Sequence, residues 1–117
     1  MANNIIVVDD IEINRFLLKE ILKHFKDIII YEASNGLECI EKINNETCII
    51  LMDAMMPVMD GIKAAQHIRL INPNIIIIGV TGQNPMPIHN KVFNHTIYKP
   101  YTSQNIINCV KDYLPTT

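Results

Sequence analysis

Cysteine is scarce: the 117 residues contain three, Cys39, Cys48 and Cys109. An odd number with no CxxC pair excludes a disulfide framework and offers no zinc-ligand spacing, so free thiols in a reducing compartment are expected. Basic charge is not in excess. Ten Lys and Arg against twelve Asp and Glu leave a formal charge of −2, too little to hold a nucleic-acid backbone by neutralising its phosphates. No stretch approaches the roughly 18 apolar residues of a membrane helix. The N-terminus has no basic stretch followed by an apolar one, so no signal peptide is expected, and the cytoplasm is the expected location. Repeats and linkers are missing, which predicts a single domain over residues 1–117.

Apolar residues, by contrast, are plentiful and regularly placed. They make up 49% of the chain, against 19% charged, a balance that excludes disorder and coiled coil. Five short runs stand out: Ile5–Val8, Ile28–Tyr31, Cys48–Met52, Ile75–Val80 and Thr96–Tyr98. Most are continuous rather than alternating, the pattern of strands buried on both faces of a parallel sheet. Helical stripes lie between them: Phe16, Leu17, Ile21 and Phe25; Leu37, Ile40 and Ile43; Ile62, Ala65 and Ile68; and, last, Ile106, Val110 and Leu114. Strand and helix alternate throughout, which predicts an α/β fold with a doubly wound five-stranded parallel sheet. The fourth helical slot, 82–94, is weak. Pro85 and Pro87 prevent a long helix from starting at Thr81 and leave about two turns after Pro87.

Parallel sheets build their sites at the carboxyl ends of strands. The first run is followed by Asp9-Asp10, the third by Asp53, the fourth by Thr81 and the fifth by Lys99-Pro100. Three carboxylates on one edge repel one another, which raises at least one pKa. A divalent cation removes that repulsion, and Mg²⁺ favours one or two carboxylates together with phosphate oxygens. A carboxylate nucleophile, a metal, a hydroxyl donor and an ammonium are the parts that phosphoryl transfer requires. Taken singly, Asp9-Asp10 and Asp53 also suit helix N-caps. Asp60 is expected to cap the third helix, and Met55, Met56 and Met59 to fill loop and core space. His24, His67, His89 and His95 share no ligand spacing.

Asp9-Asp10, Asp53, Thr81 and Lys99-Pro100, in that order and at those strand ends, resemble the receiver domain of two-component response regulators. The segment Ile50-Leu51-Met52-Asp53-Ala54-Met55-Met56-Pro57-Val58-Met59-Asp60-Gly61 resembles the family's phosphorylation-site signature. Val7 to Arg15 is also similar to receivers attached to hybrid histidine kinases. The resemblance implies the flavodoxin-like sheet order 2-1-3-4-5, with a shortened fourth helix here. It implies that Asp53 is the phosphoacceptor and that Asp10 binds Mg²⁺ (or Mn²⁺), with Asp9 acting through water and the Met55 backbone carbonyl as a further ligand. It implies that Lys99 pairs with Asp53 at rest and with a phosphoryl oxygen afterwards, that Thr81 donates its hydroxyl to the phosphoryl group, and that the Lys99–Pro100 bond is cis. The donor would be a histidine kinase or a histidine phosphotransfer protein, and the readout a downstream effector protein, with no direct nucleic acid or membrane contact. The chain would not be an enzyme beyond its own Mg²⁺-dependent phosphorylation and dephosphorylation.

Two departures from the family pattern are visible. Thr96 stands where the family often has an aromatic, three residues before Lys99, and the segment from Thr81 to Lys99 is short. The expectation is retained phosphorylation chemistry with an altered output face. Three other readings remain. A flavin mononucleotide carrier would need a Ser/Thr/Gly-rich loop in place of Asp9-Asp10. An aspartyl phosphatase would need an acid where Met55 stands. A degenerate receiver would act as a phosphorylation-independent docking module.

Overall fold

A strand covered on both faces must present apolar side chains in both directions, and the central strands do so here. In the computed structural model, which describes residues 3–56, 59–82 and 92–114, β1 spans Asn4–Val8, β2 Ile29–Ala33, β3 Thr47–Asp53, β4 Ile76–Thr81 and β5 His95–Tyr98. They form one sheet of order β2-β1-β3-β4-β5, and every pairing is parallel. This is the flavodoxin-like order. The described helices are α1 (Glu12–Leu22), α2 (Gly36–Lys42), α3 (Gly61–Ile71) and α4 (Ser103–Tyr113).

Alternation along β1 and β3 feeds two separate cores. Ile6, Val8, Ile50 and Met52 face α2 and α3, meeting Cys39, Ala64, Ala65 and Ile68. Ile5, Val7, Ile49 and Leu51 face the other way, onto Leu18 and Leu22 of α1 and Ile106, Cys109 and Val110 of α4. Local chemistry sets the helix starts. Asn35 accepts from the Glu38 N–H, Asp60 from the Lys63 N–H, and Thr102 forms a capping box with Asn105, each a side chain satisfying donors that a helix start leaves unpaired.

Two of the helical stripes expected from sequence are rotated. Leu18 and Leu22 are buried on α1, whereas Phe16 and Leu17 are exposed. On α2 the buried residues are Gly36 and Cys39, and Leu37 is exposed. The reason is steric in α2: a Cβ added at Gly36 would lie 2.7 Å from the Ala64 Cβ, so the small residues take the contact with α3. The weak fourth helical slot falls largely on 83–91, which lie outside the described residues, as do His89 and Pro57.

Arg69 of α3 clasps the chain at Val92 and Asn94. The Arg69 guanidinium donates to the carbonyls of Val92 (3.1 and 2.8 Å) and Ile75 (2.6 Å) and to the Asn94 side chain. Asn94 in turn binds Ile77 through both its backbone N–H (2.7 Å) and its Oδ1 (2.8 Å). Between these bonds the Phe93 ring lies over Gly79, where a Cβ would come within 2.7 Å of it. Carbonyls that no regular element satisfies are thus paired by one side chain.

Candidate functional site

The carboxyl ends of β1, β3, β4 and β5 deliver every residue singled out from the sequence. Asp9 directly follows β1, Asp53 ends β3, Thr81 ends β4, and Lys99 directly follows β5. Asp9, Asp10 and Asp53 each place a carboxylate oxygen within 4.8 Å of the others'. Asp9 (2% exposed) and Asp53 (7%) are buried, and Asp10 is exposed. Two of the acids are thus buried, and the third meets solvent.

Lys99 faces two of them. Its ammonium is 3.6 Å from Asp9 Oδ2 and 3.9 Å from Asp53 Oδ2. It sits between the two acids rather than with Asp53 alone. The backbone fixes that position: the Lys99 N–H donates to the Thr81 carbonyl at 2.8 Å, and the Lys99–Pro100 peptide is cis. Thr81 itself is fully buried.

Asp53 is held by the loop that follows it. Its Oδ1 accepts the Met55 N–H at 3.0 Å. Burial pushes its carboxyl above the ordinary carboxylate range; the Met55 N–H and the Lys99 charge pull it down, while Asp9 and Asp10 push it up further. Desolvation and like charge therefore dominate over the neighbouring cation. A divalent cation, which favours the ionised form of all three acids, fits this donor set of hard oxygens.

Residues 5–111 match the family model described as the response regulator receiver domain. The chain belongs to the response regulator receiver family. The chemotaxis protein CheY of Bacillus subtilis is 31% identical over 97% of this chain and 99% of its own length. CheY of Thermotoga maritima is 32% identical over 94% and 96%. Among solved structures, the response regulator TrrA of Thermotoga maritima, crystallised with Mg²⁺ and BeF, matches with a TM-score of 0.86 at 28% identity, covering 96% of this chain and 99% of that one.

Two features that shape the receiver site, the clamp on Asp9 and the crowding at Gly61, were not read from the sequence. Asp9 is pinned at every polar atom. Its N–H donates to the Ala33 carbonyl (3.1 Å), its Oδ1 accepts the Ile11 N–H (2.9 Å) and lies 3.5 Å from the Asn14 amide, and its carbonyl accepts from Arg15 (2.7 Å). This is an Asx-type turn, so Asp9 does not cap α1; the N-cap position is Ile11, which has no side-chain cap bond. Gly61 is the other. A Cβ there would lie 2.2 Å from the Asp53 carbonyl oxygen and 2.8 Å from the Ala54 Cα. Nothing in the sequence marks the first; the glycine after Asp60 was the signal for the second. His24, His67 and His95 are not part of the acidic cluster, and the thiols are free. Burial pushes Cys39 up to about 12 and Cys109 up to about 11. No helix among the described residues is long and apolar enough to cross a membrane.

Proposed function

We propose that this receiver is a phosphoacceptor: it takes a phosphoryl group from a phosphohistidine donor onto Asp53 and thereby switches which partner it binds. The observation that carries the reading is the placement of three carboxylate oxygens within 4.8 Å of one another with the Lys99 ammonium facing two of them. Asp10 and Asp53, with Asp9 behind them and the Met55 carbonyl as a further ligand, would hold Mg²⁺, with Mn²⁺ as a substitute. When bound, the cation supplies charge neutralisation to the acids and to the phosphoryl oxygens.

The chain's own residues do the rest. An Asp53 carboxylate oxygen forms the new bond to phosphorus as the phosphorus–nitrogen bond of the donor breaks, and the imidazole leaves with a proton from solvent. Met55 N–H orients the carboxylate through its other oxygen. Lys99, released from its place between Asp9 and Asp53, pairs with a phosphoryl oxygen. Thr81 donates its hydroxyl to another. The added charge on Asp53 stabilises the state in which Thr81 and Lys99 are drawn in, and so biases a two-state equilibrium.

The donor is a histidine kinase or a histidine phosphotransfer protein, and an effector protein reads the result in the cytoplasm. A donor protein would dock beside the acids, and the start of α1, which follows Asp9-Asp10, offers apolar area at Ile11, Ile13, Phe16 and Leu17, all exposed. The chain turns over no substrate besides its own aspartyl phosphate. Intact-protein mass after incubation with a small acyl phosphate, with and without Mg²⁺, tests the reading. A Mg²⁺-dependent gain of one phosphoryl group in the wild type and none in an Asp53→Asn variant is expected. No gain, together with no Mg²⁺ binding, would favour a phosphorylation-independent docking module.

A further inference from the structure

Asp10 makes no side-chain hydrogen bond among the described residues, yet its direction decides whether a metal site forms. The peptide that joins it to Asp9 is what can orient it. That peptide's carbonyl accepts from Arg15 Nη1 at 2.7 Å. The same guanidinium is held from behind, since its Nε donates to Glu32 Oε1 at 3.1 Å. Glu32 is itself fixed by Lys19 at 2.9 Å on its second oxygen, and the Lys42 ammonium binds the Glu32 carbonyl. The Arg15 side chain is 15% exposed, well covered for a cation. A planar fork with fixed donor directions can serve a carbonyl and a carboxylate at once, which a lysine cannot do.

We propose that Arg15 is a positioning residue for the metal site: braced by Glu32, it fixes the Asp9–Asp10 peptide and so aims Asp10. The inference rests on the receiver reading above. It also makes a prediction opposite in sign to simple electrostatics. A cation beside a metal site repels the metal, so deleting Arg15 for charge reasons alone would tighten binding. Deleting a group that orients a ligand loosens it, as loss of outer-sphere support to a metal ligand does.

The test titrates Mn²⁺ into the full chain and reads free ion by electron paramagnetic resonance, well below the unfolding midpoint of each variant. Arg15→Met keeps the apolar stem and removes the donors; binding about tenfold weaker than wild type is expected. Arg15→Lys restores charge and one donor and should recover part of the loss. Lys23→Met, which removes an exposed cation at the end of α1 paired only with Glu20 among the described residues, should bind within about twofold of wild type. A lowered unfolding midpoint with unchanged or tighter Mn²⁺ binding in Arg15→Met would overturn the proposal, because that pattern marks a merely structural cation. If Arg15→Met does not fold, Arg15→Lys and Glu32→Gln decide: weaker binding in both supports the role, and wild-type affinity in both removes it. A wild type that binds no Mn²⁺ would overturn the metal site as well, and is told apart by that result alone.

Discussion

Replacing Gly61 by alanine adds one methyl group at the most crowded point next to the phosphoacceptor. The new Cβ would meet the Asp53 carbonyl oxygen at 2.2 Å, the Ala54 Cα at 2.8 Å and the Asp53 carbonyl carbon at 3.0 Å. All three are backbone atoms, so no side chain can rotate away. Ordinary contact requires a shift of about 1 Å between the start of α3 and the end of β3, at roughly 1–3 kcal/mol for overpacking. The shift also stretches the Gly61 N–H to Ala54 carbonyl bond, 3.0 Å long, whose loss costs about 1 kcal/mol. Alanine returns up to about 1 kcal/mol through helix propensity. The net expectation is a loss of about 2 kcal/mol. Because the displaced atoms belong to Asp53, a misplacement of about 1 Å should also slow phosphoryl uptake about a hundredfold. Urea unfolding measures the first quantity and time-resolved intact mass with an acyl phosphate the second. Gly82→Ala is the control: a Cβ there meets nothing within 4 Å among the described residues, and stability should change by less than about 1 kcal/mol. Wild-type stability and wild-type uptake in Gly61→Ala would refute the steric argument.

Other consequences can be measured with the same two assays. Burial raises the Asp53 pKa, so its contribution to stability is full below the ordinary carboxylate pKa of about 4 and is lost as pH rises through the folded value. In chelator at neutral pH, Asp53→Asn should therefore be more stable than wild type, with the gap closing on acidification; a wild type that is the more stable at pH 7 would contradict this. Arg69→Ala leaves the carbonyls of Val92 and Ile75 without their donor and should destabilise the fold by about 2–3 kcal/mol in urea; a change under about 0.5 kcal/mol would show that water replaces the clasp. Met55 is 61% exposed and its N–H holds the Asp53 carboxylate, and its apolar side chain is expected to keep water from an aspartyl phosphate. Met55→Asn should shorten the lifetime of the phosphorylated form, read as loss of the added mass over time, and equal lifetimes would remove Met55 from that role.

The sheet was legible because parallel strands covered on both faces read as continuous apolar runs of strand length, as Ile75–Val80 and Cys48–Met52 do. Asp9, Asp10, Asp53, Thr81 and Lys99 were legible because each directly follows or ends an apolar run. The helix faces were read less well. Phe16, Leu17 and Leu37 satisfy a helical period, but period alone does not say which of two adjacent stripes meets the sheet; Gly36 against Ala64 and Leu18 against the β1–β3 face decide it through contact distance. Arg15 and Arg69 were invisible for a related reason. Their work is done on backbone carbonyls, and a carbonyl leaves no mark in the sequence.

The two cores on opposite faces of the sheet have a consequence for how such a chain can change over time. Phe93 and the clasped crossover belong to the layer of α2 and α3, while Leu18, Leu22 and Val110 belong to the layer of α1 and α4. Substitutions in different layers share few partners, so their effects should add rather than compound. One layer can then accumulate substitutions and compensations while the other keeps its packing, and the strand ends between them stay in register.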